Sequence, residues 1–309
     1  MRITRSDRIP QPDPQPKAEG LSEEESPKET PTPRRKKRFP VSTLLLVLVF
    51  TIGLCLLLYP SVSELVNERN HSRVIAGHQE ALEQMDETDL QELWDLAIQY
   101  NADLAESPKE WYLTEYERGI YNNMLNPFGN GMMGYLEIPS IEVRLPIYHS
   151  VEEEVLQVGV GHIESSSLPV GGESSHCILS GHRGLPSSRL LTDIDQLEEG
   201  DVFYLHVLNE TLAYTVDNIS VVEPQNVESL GIEQGKDYCT LVTCTPYGVN
   251  THRLLVRGIR TPYTPTEEEA AATTETPVIQ KTINYIPFVV ALLLILLLAV
   301  LLIRNHKKT

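Results

Sequence analysis

The sequence predicts a mainly β fold: a single barrel of short strands, preceded by an α-helical arm and flanked by two transmembrane helices. Three observations carry that expectation. From Met133 onward, short and often β-branched runs such as "SHCILSG" and "YCTLVTC" alternate with turns rich in Gly, Pro, Asn or Glu. Between Ser63 and about Leu125, apolar residues recur at three- and four-residue steps, with no proline before Pro108. Two charge-free apolar runs, 41–59 and 286–303, are each long enough to cross a ~30 Å hydrocarbon layer as a helix.

Taken in order, residues 1–40 are rich in Pro, Glu, Lys and Arg and read as a disordered leader. "RRKKR" at 34–38 precedes the first apolar run, and Arg304, Lys307 and Lys308 follow the second, in the tail 304–309. The positive-inside rule then places both termini in the cytoplasm and everything between the two spans outside the cell membrane. Ser61-Val62-Ser63 has the small-x-small pattern of a signal cleavage site. The apolar stretch before it exceeds the usual h-region of about 7–15 residues, which favours an uncleaved anchor. Residues 60–132 form the helical arm, 133–261 the barrel, and 262–285 a polar Pro/Thr/Glu linker back to the membrane. Asn209-Glu210, between two alternating runs, reads as a hairpin turn.

The chain has 25 basic and 43 acidic residues, a net charge of −18, and the basic ones crowd the termini. The stretch between leader and tail is left with a net charge of about −24. Nucleic acid is an unsuitable partner for such a surface, because phosphates need basic groups. Solvated acidic faces are the ordinary explanation of the excess.

Of the four cysteines, Cys55 lies in the first apolar run, leaving Cys177, Cys239 and Cys244 in the external part. An odd number outside the cell points to a free thiol. Cys177 and Cys239 fall within apolar strand patterns, where cysteine behaves as a small buried hydrophobe. Cys244 instead ends its run and opens a turn. No pair has CxxC or His/Cys metal spacing, so neither a metal nor a cofactor is expected.

A thiol becomes a useful nucleophile when a neighbouring His or Arg stabilises the thiolate. His71 and His78 lie in the arm and read as solvated, His149 and His162 fall at strand ends, and His206 alternates within a strand. His182 follows an apolar run and sits in the turn Gly181-His182-Arg183-Gly184, which suits presentation of an imidazole. Arg253 has a geometric argument. If 238–244 and 251–257 pair as a hairpin, period-two alternation puts Arg253, Leu255 and Arg257 on one face, with Arg253 nearest Cys244 and His252 pointing away. A guanidinium there suits developing oxyanion charge or a substrate carbonyl, although a solvated or salt-bridged arginine fits the spacing equally.

"TLVTCTPYGVNTHRLLVRG" together with "LSGHRGLP" closely resembles the sortases, membrane-anchored cysteine transpeptidases of Gram-positive surfaces. "MGYLEIPSIEVRLPIYH", "GVGHIESSSLPVGGESSHCILSGHRGLP" and the second apolar run resemble the pilus-assembling class C. The likeness is strong over 130–260 and loose over the arm. It implies an eight-stranded β-barrel with Cys244 as nucleophile, His182 as general acid/base and Arg253 as stabiliser of substrate and oxyanion. It also implies substrates with an LPxTG-like sorting signal, cleaved between Thr and Gly through a thioester, and a pilin lysine as acceptor.

Class C sortases often carry a lid with an Asp-Pro-aromatic motif over the cysteine, and this sequence departs from it. The matching stretch is "AESPKEWYLTEYE", with Pro108, Glu110 and Trp111 in another order. Residues 105–115 read as a degenerate lid with Trp111 as its plug, or as a tryptophan packed on the barrel. Asn126-Pro127-Phe128 is a weaker echo of the same motif. Two other readings stay open: a different cysteine enzyme, either a housekeeping-type sortase joining proteins to peptidoglycan or a hydrolase, and a non-catalytic surface protein. The second apolar run weighs against the housekeeping form. A pilin would carry its own LPxTG-like signal before residue 286, and none is present.

Overall fold

The computed structural model describes residues 41–107, 112–263, 289–296 and 298–299. Eight strands close into a barrel in the order β1-β2-β3-β4-β7-β8-β6-β5. They are β1 (Met132–Ile138), β2 (Val143–His149), β3 (Val160–His162), β4 (Ser175–Ser180), β5 (Val202–Val207), β6 (Glu210–Val222), β7 (Asp237–Thr245) and β8 (His252–Thr261). Closure leaves no strand edge unpaired. Two neighbouring pairs, β2/β3 and β4/β7, are parallel, and the others antiparallel. The interior is filled by alternate strand residues such as Leu136, Ile147, Leu179, Phe203, Leu205, Leu241 and Val256. Cys177 and Cys239 are among them, Cα partners across β4/β7 and only 1% and 0% exposed.

Among the described residues, four helices precede or interrupt the strands: α1 (Val41–Glu83), α2 (Glu87–Glu106), α3 (Glu115–Tyr121) and α4 (Glu153–Leu156). Among the described residues, α1 alone is long and apolar enough to cross a membrane. It runs without interruption through Pro60 into the arm. Beyond the apolar run it meets the barrel, where the Arg189 amide donates to Glu64 Oε2 at 2.6 Å and Asn67 Nδ2 donates to the Ser187 carbonyl at 2.7 Å. Of the second apolar run, 289–296 and 298–299 are helical, and its remainder lies outside the described residues, as do the leader, the tail and most of the linker.

α2 begins with Glu87 and Asp89, which suit the positive end of the helix dipole. It buries Leu90, Ala97, Tyr100, Asn101 and Leu104, one stripe at helical spacing. Asn101 is polar in an apolar stripe because its amide is fully used: Nδ2 donates to the Leu168 and Gly171 carbonyls, and Oδ1 accepts from the Leu168 amide. α3 starts in a capping box of Thr114 and Glu117. Arg118 then forks onto the Glu164 carboxylate at 2.8 and 2.9 Å. Tyr121, wholly buried, places its hydroxyl 2.9 Å from His162 Nδ1. The arm is thus pinned to the barrel on both sides of the expected lid, whose residues Pro108, Glu110 and Trp111 lie outside those described.

Two histidine expectations are corrected. His71 and His78 are buried rather than solvated, at 9% and 5% exposure, because the face of α1 that carries them turns onto the barrel side. Burial pushes the His78 pKa down to about 4, and neither ring nitrogen has a hydrogen-bond partner among the described residues.

Candidate active site

Strand alternation sorts the residues around Cys244. On β4, β7 and β8, Cys177, Leu179, Cys239, Leu241, Leu254 and Val256 belong to the barrel interior. Their neighbours Ile178, Val242 and Leu255 therefore point outward, and so do Cys244, two positions after Val242, and Arg253, two positions before Leu255. The half-buried Cys244 sits one residue from the end of β7, so its thiol stands on the outer wall near the rim.

Pairing places the other two residues beside it. Cys244 and Arg253 are Cα partners in the β7/β8 ladder. On the other side, β4 runs parallel to β7 with Ser180 opposite Val242. The pairing continues past the strand end: the Gly181 amide donates to the Val242 carbonyl at 3.1 Å, and Thr243 Oγ1 donates to the Gly181 carbonyl at 2.8 Å. The same register carries His182 abreast of Cys244. His182, Cys244 and Arg253 thus form one row across three adjacent chain segments, although His182 and Cys244 are 62 positions apart.

The electrostatics differ along the row. His182 Nε2 lies 3.2 and 3.3 Å from the two carboxylate oxygens of Glu153, the first residue of α4. The Gln157 amide, then His182, hold the Glu153 carboxyl below its ordinary range. Arg253 Nη1 donates to the His252 carbonyl at 3.1 Å and to that of Asn250 at 3.4 Å. No carboxylate pairs with this guanidinium among the described residues, so its charge stays available at the rim. Arg257, on the same face, is instead engaged by Asp217 and Glu233 and lies over the Tyr238 ring.

Below the row, Ile178, Val242 and Leu255 meet Leu230, from the short 3₁₀ turn Glu228–Leu230, with Val222, Val227 and Ile163 packed around them. These side chains form a small buried core that holds the 222–230 connection against the outer wall.

The other cysteines of the barrel cannot share this role. Cys177 and Cys239 face the sealed interior, and burial pushes the Cys239 thiol well above its ordinary range. His176 is next to Cys177 in the chain but on the opposite face, where Nδ1 meets the Gly231 carbonyl and Nε2 meets Thr240 Oγ1. His149 and His162 are likewise committed to structural hydrogen bonds. Sequence reasoning missed Glu153 and Arg183; the second stood in the quoted "GHRG", with nothing to show where its side chain would go.

An outward thiol with an imidazole on one flank and, on the other, a guanidinium that no carboxylate holds among the described residues has the parts of a cysteine acyl-transfer site. The comparisons with known proteins agree. Residues 136–261 match the sortase domain. Sortase C1 from Streptococcus agalactiae is 52% identical, with a TM-score of 0.61 over 62% of this chain and 100% of that one. Clostridium perfringens sortase C, solved with the C-terminal cell wall sorting motif, is 44% identical, with a TM-score of 0.55 over 62% of this chain and 99% of that one. Sortase A of Streptococcus agalactiae serotype III is 32% identical over 117 residues, 37% of this chain and 47% of that relative. The match therefore spans about half of that curated relative's length. The chain belongs to the sortase family, and its structural neighbours are class C sortases.

Proposed function

We propose that this protein is a membrane-anchored sortase that cleaves an LPxTG-like sorting signal between Thr and Gly and transfers the acyl group to a lysine of a pilin subunit. The observation that carries the reading is the His182–Cys244–Arg253 row on the outer wall. The greater identity to sortase C1 than to Sortase A supports the pilus class over the housekeeping one.

In this reading the sorting signal lies along the outer wall beside the row and lays its Thr carbonyl over the half-buried Cys244. The Cys244 sulfur, as thiolate, attacks the Thr carbonyl carbon, and the carbonyl oxygen gains the negative charge. Arg253 lies on the side where that oxyanion forms. Collapse breaks the C–N bond; His182, as imidazolium, gives its proton to the departing Gly amine and leaves a thioester on Cys244. The acceptor lysine then enters as a free amine and attacks the thioester carbon. Its surplus proton passes to His182, and the thiolate departs as the isopeptide bond forms.

The test is incubation of the full chain, in detergent, with an LPxTG-like peptide and a lysine-bearing pilin domain, followed by mass spectrometry. A thioester on Cys244 together with an isopeptide product is expected. A thioester that yields only hydrolysed peptide would replace the acceptor by another, such as a peptidoglycan precursor. No adduct at all would remove the enzymatic reading.

A further inference from the structure

The loop that follows His182 is closed at its neck. The Leu191 amide donates to the His182 carbonyl at 3.2 Å, and the Gly184 amide donates to Thr192 Oγ1 at 3.2 Å. Arg183 lies in this neck with its side chain only 9% exposed. Its Nε donates to the Thr192 carbonyl at 3.0 Å and its Nη2 to the Asp195 carboxylate. The remaining arm, Nη1, crosses to Thr245 Oγ1 at 3.2 Å. Arg183 is the residue after His182, and Thr245 is the residue after Cys244. One guanidinium therefore ties together the chain positions directly following the imidazole and the thiol. The two turns also touch at Gly184, whose φ is +83 and where an added Cβ would come within 3.0 Å of the Tyr247 ring.

We infer that Arg183 is a positioning residue for acyl transfer, setting the spacing of His182 and Cys244 by bridging the His182 loop to Thr245. The inference rests on the proposed transpeptidase reading. His182 lies beyond the end of β4, so ladder hydrogen bonds do not fix it as they fix Cys244 and Arg253. A proton-transfer group has to be held to within roughly 0.5 Å, and a loop needs added ties to do so. A planar guanidinium supplies them, because its donors diverge in fixed directions toward three acceptors; an ammonium is a single point. Asp195 neutralises the buried charge, so Arg183 needs no substrate anion to be stable there.

The experiment uses the full chain in detergent and reads kcat and KM for an LPxTG-like peptide, with a melting curve for each protein. The variants are Arg183→Lys, Thr245→Val and the two together, with Cys244→Ala as the blank. Each single change should lower kcat by about 10- to 100-fold, the usual result of misplacing a catalytic group by an ångström, with KM within about twofold. The double variant should be no slower than the worse single one, because both remove the same bridge. Wild-type kcat in Thr245→Val, a loss carried by KM, or losses that multiply in the double variant would each overturn the assignment while leaving the enzyme a sortase. If Arg183→Lys melts early, Thr245→Val decides. A wild-type chain that forms no thioester would overturn the transpeptidase reading and this assignment with it.

Discussion

Arg253 faces Cys244 directly across the β7/β8 ladder, and its guanidinium is turned back onto the carbonyls of its own turn rather than onto a carboxylate. A charge so placed costs little to redirect toward a substrate oxygen. Arg253→Lys should therefore keep the melting temperature within a degree or two and lower kcat by roughly 100-fold, as loss of an oxyanion donor does. Peptide turnover at near wild-type rate would take Arg253 out of the chemistry.

The Glu153–His182 contact invites a comparison of magnitudes. Glu153 is exposed, and an ion pair open to solvent contributes little. Glu153→Gln should change kcat/KM by less than about fivefold. His182→Ala should lower it by 10²–10⁴-fold, the range of a lost general acid/base. Similar losses from both changes would show that the carboxylate is part of the proton path.

Thiol reactivity should divide the cysteines sharply. In the folded chain in detergent, a bulky polar maleimide should label Cys244 and leave Cys177 and Cys239 untouched until denaturant is added. Cys177→Ser should lower stability by about 1–3 kcal/mol, the cost of an ill-matched buried hydroxyl, and leave the acyl-enzyme on Cys244. Loss of the adduct in a folded Cys177→Ser protein would contradict the assignment of the nucleophile.

His78 gives the arm a pH dependence of definite sign. In the unfolded chain it binds a proton below about pH 6.5, whereas the folded chain keeps it neutral down to about pH 4. Stability from this residue is complete above pH 6.5 and declines as the pH falls toward 4, by at most about 3 kcal/mol. His78→Leu should flatten that part of the melting-temperature profile. A profile unchanged by the substitution would mean that the imidazole reaches solvent.

The site is partly legible in the sequence. The face shared by Arg253 and Cys244 follows from period two along one hairpin, a local relation. The position of His182 does not, because it depends on the parallel pairing of β4 with β7 between distant stretches of chain. The resemblance of "LSGHRGLP" supplied what spacing could not. Cys177 and Cys239 were readable as buried because they fall within apolar strand runs, where a cysteine packs as a small hydrophobe. His71 and His78 were not, since the face of α1 that meets the barrel is set by tertiary packing rather than by a clean apolar stripe.

The unbroken passage of α1 from its apolar run into the arm makes the helix a measuring rod. On the proposed topology the lipid boundary falls near Tyr59, and Glu64 and Asn67 grip the loop after His182 only five and eight residues later. At 1.5 Å per residue that is about 8–12 Å along the axis. On that topology the loop after His182 is held at a fixed short height above the bilayer, and the barrel cannot tilt away from the lipid without bending α1 or releasing Glu64 and Asn67.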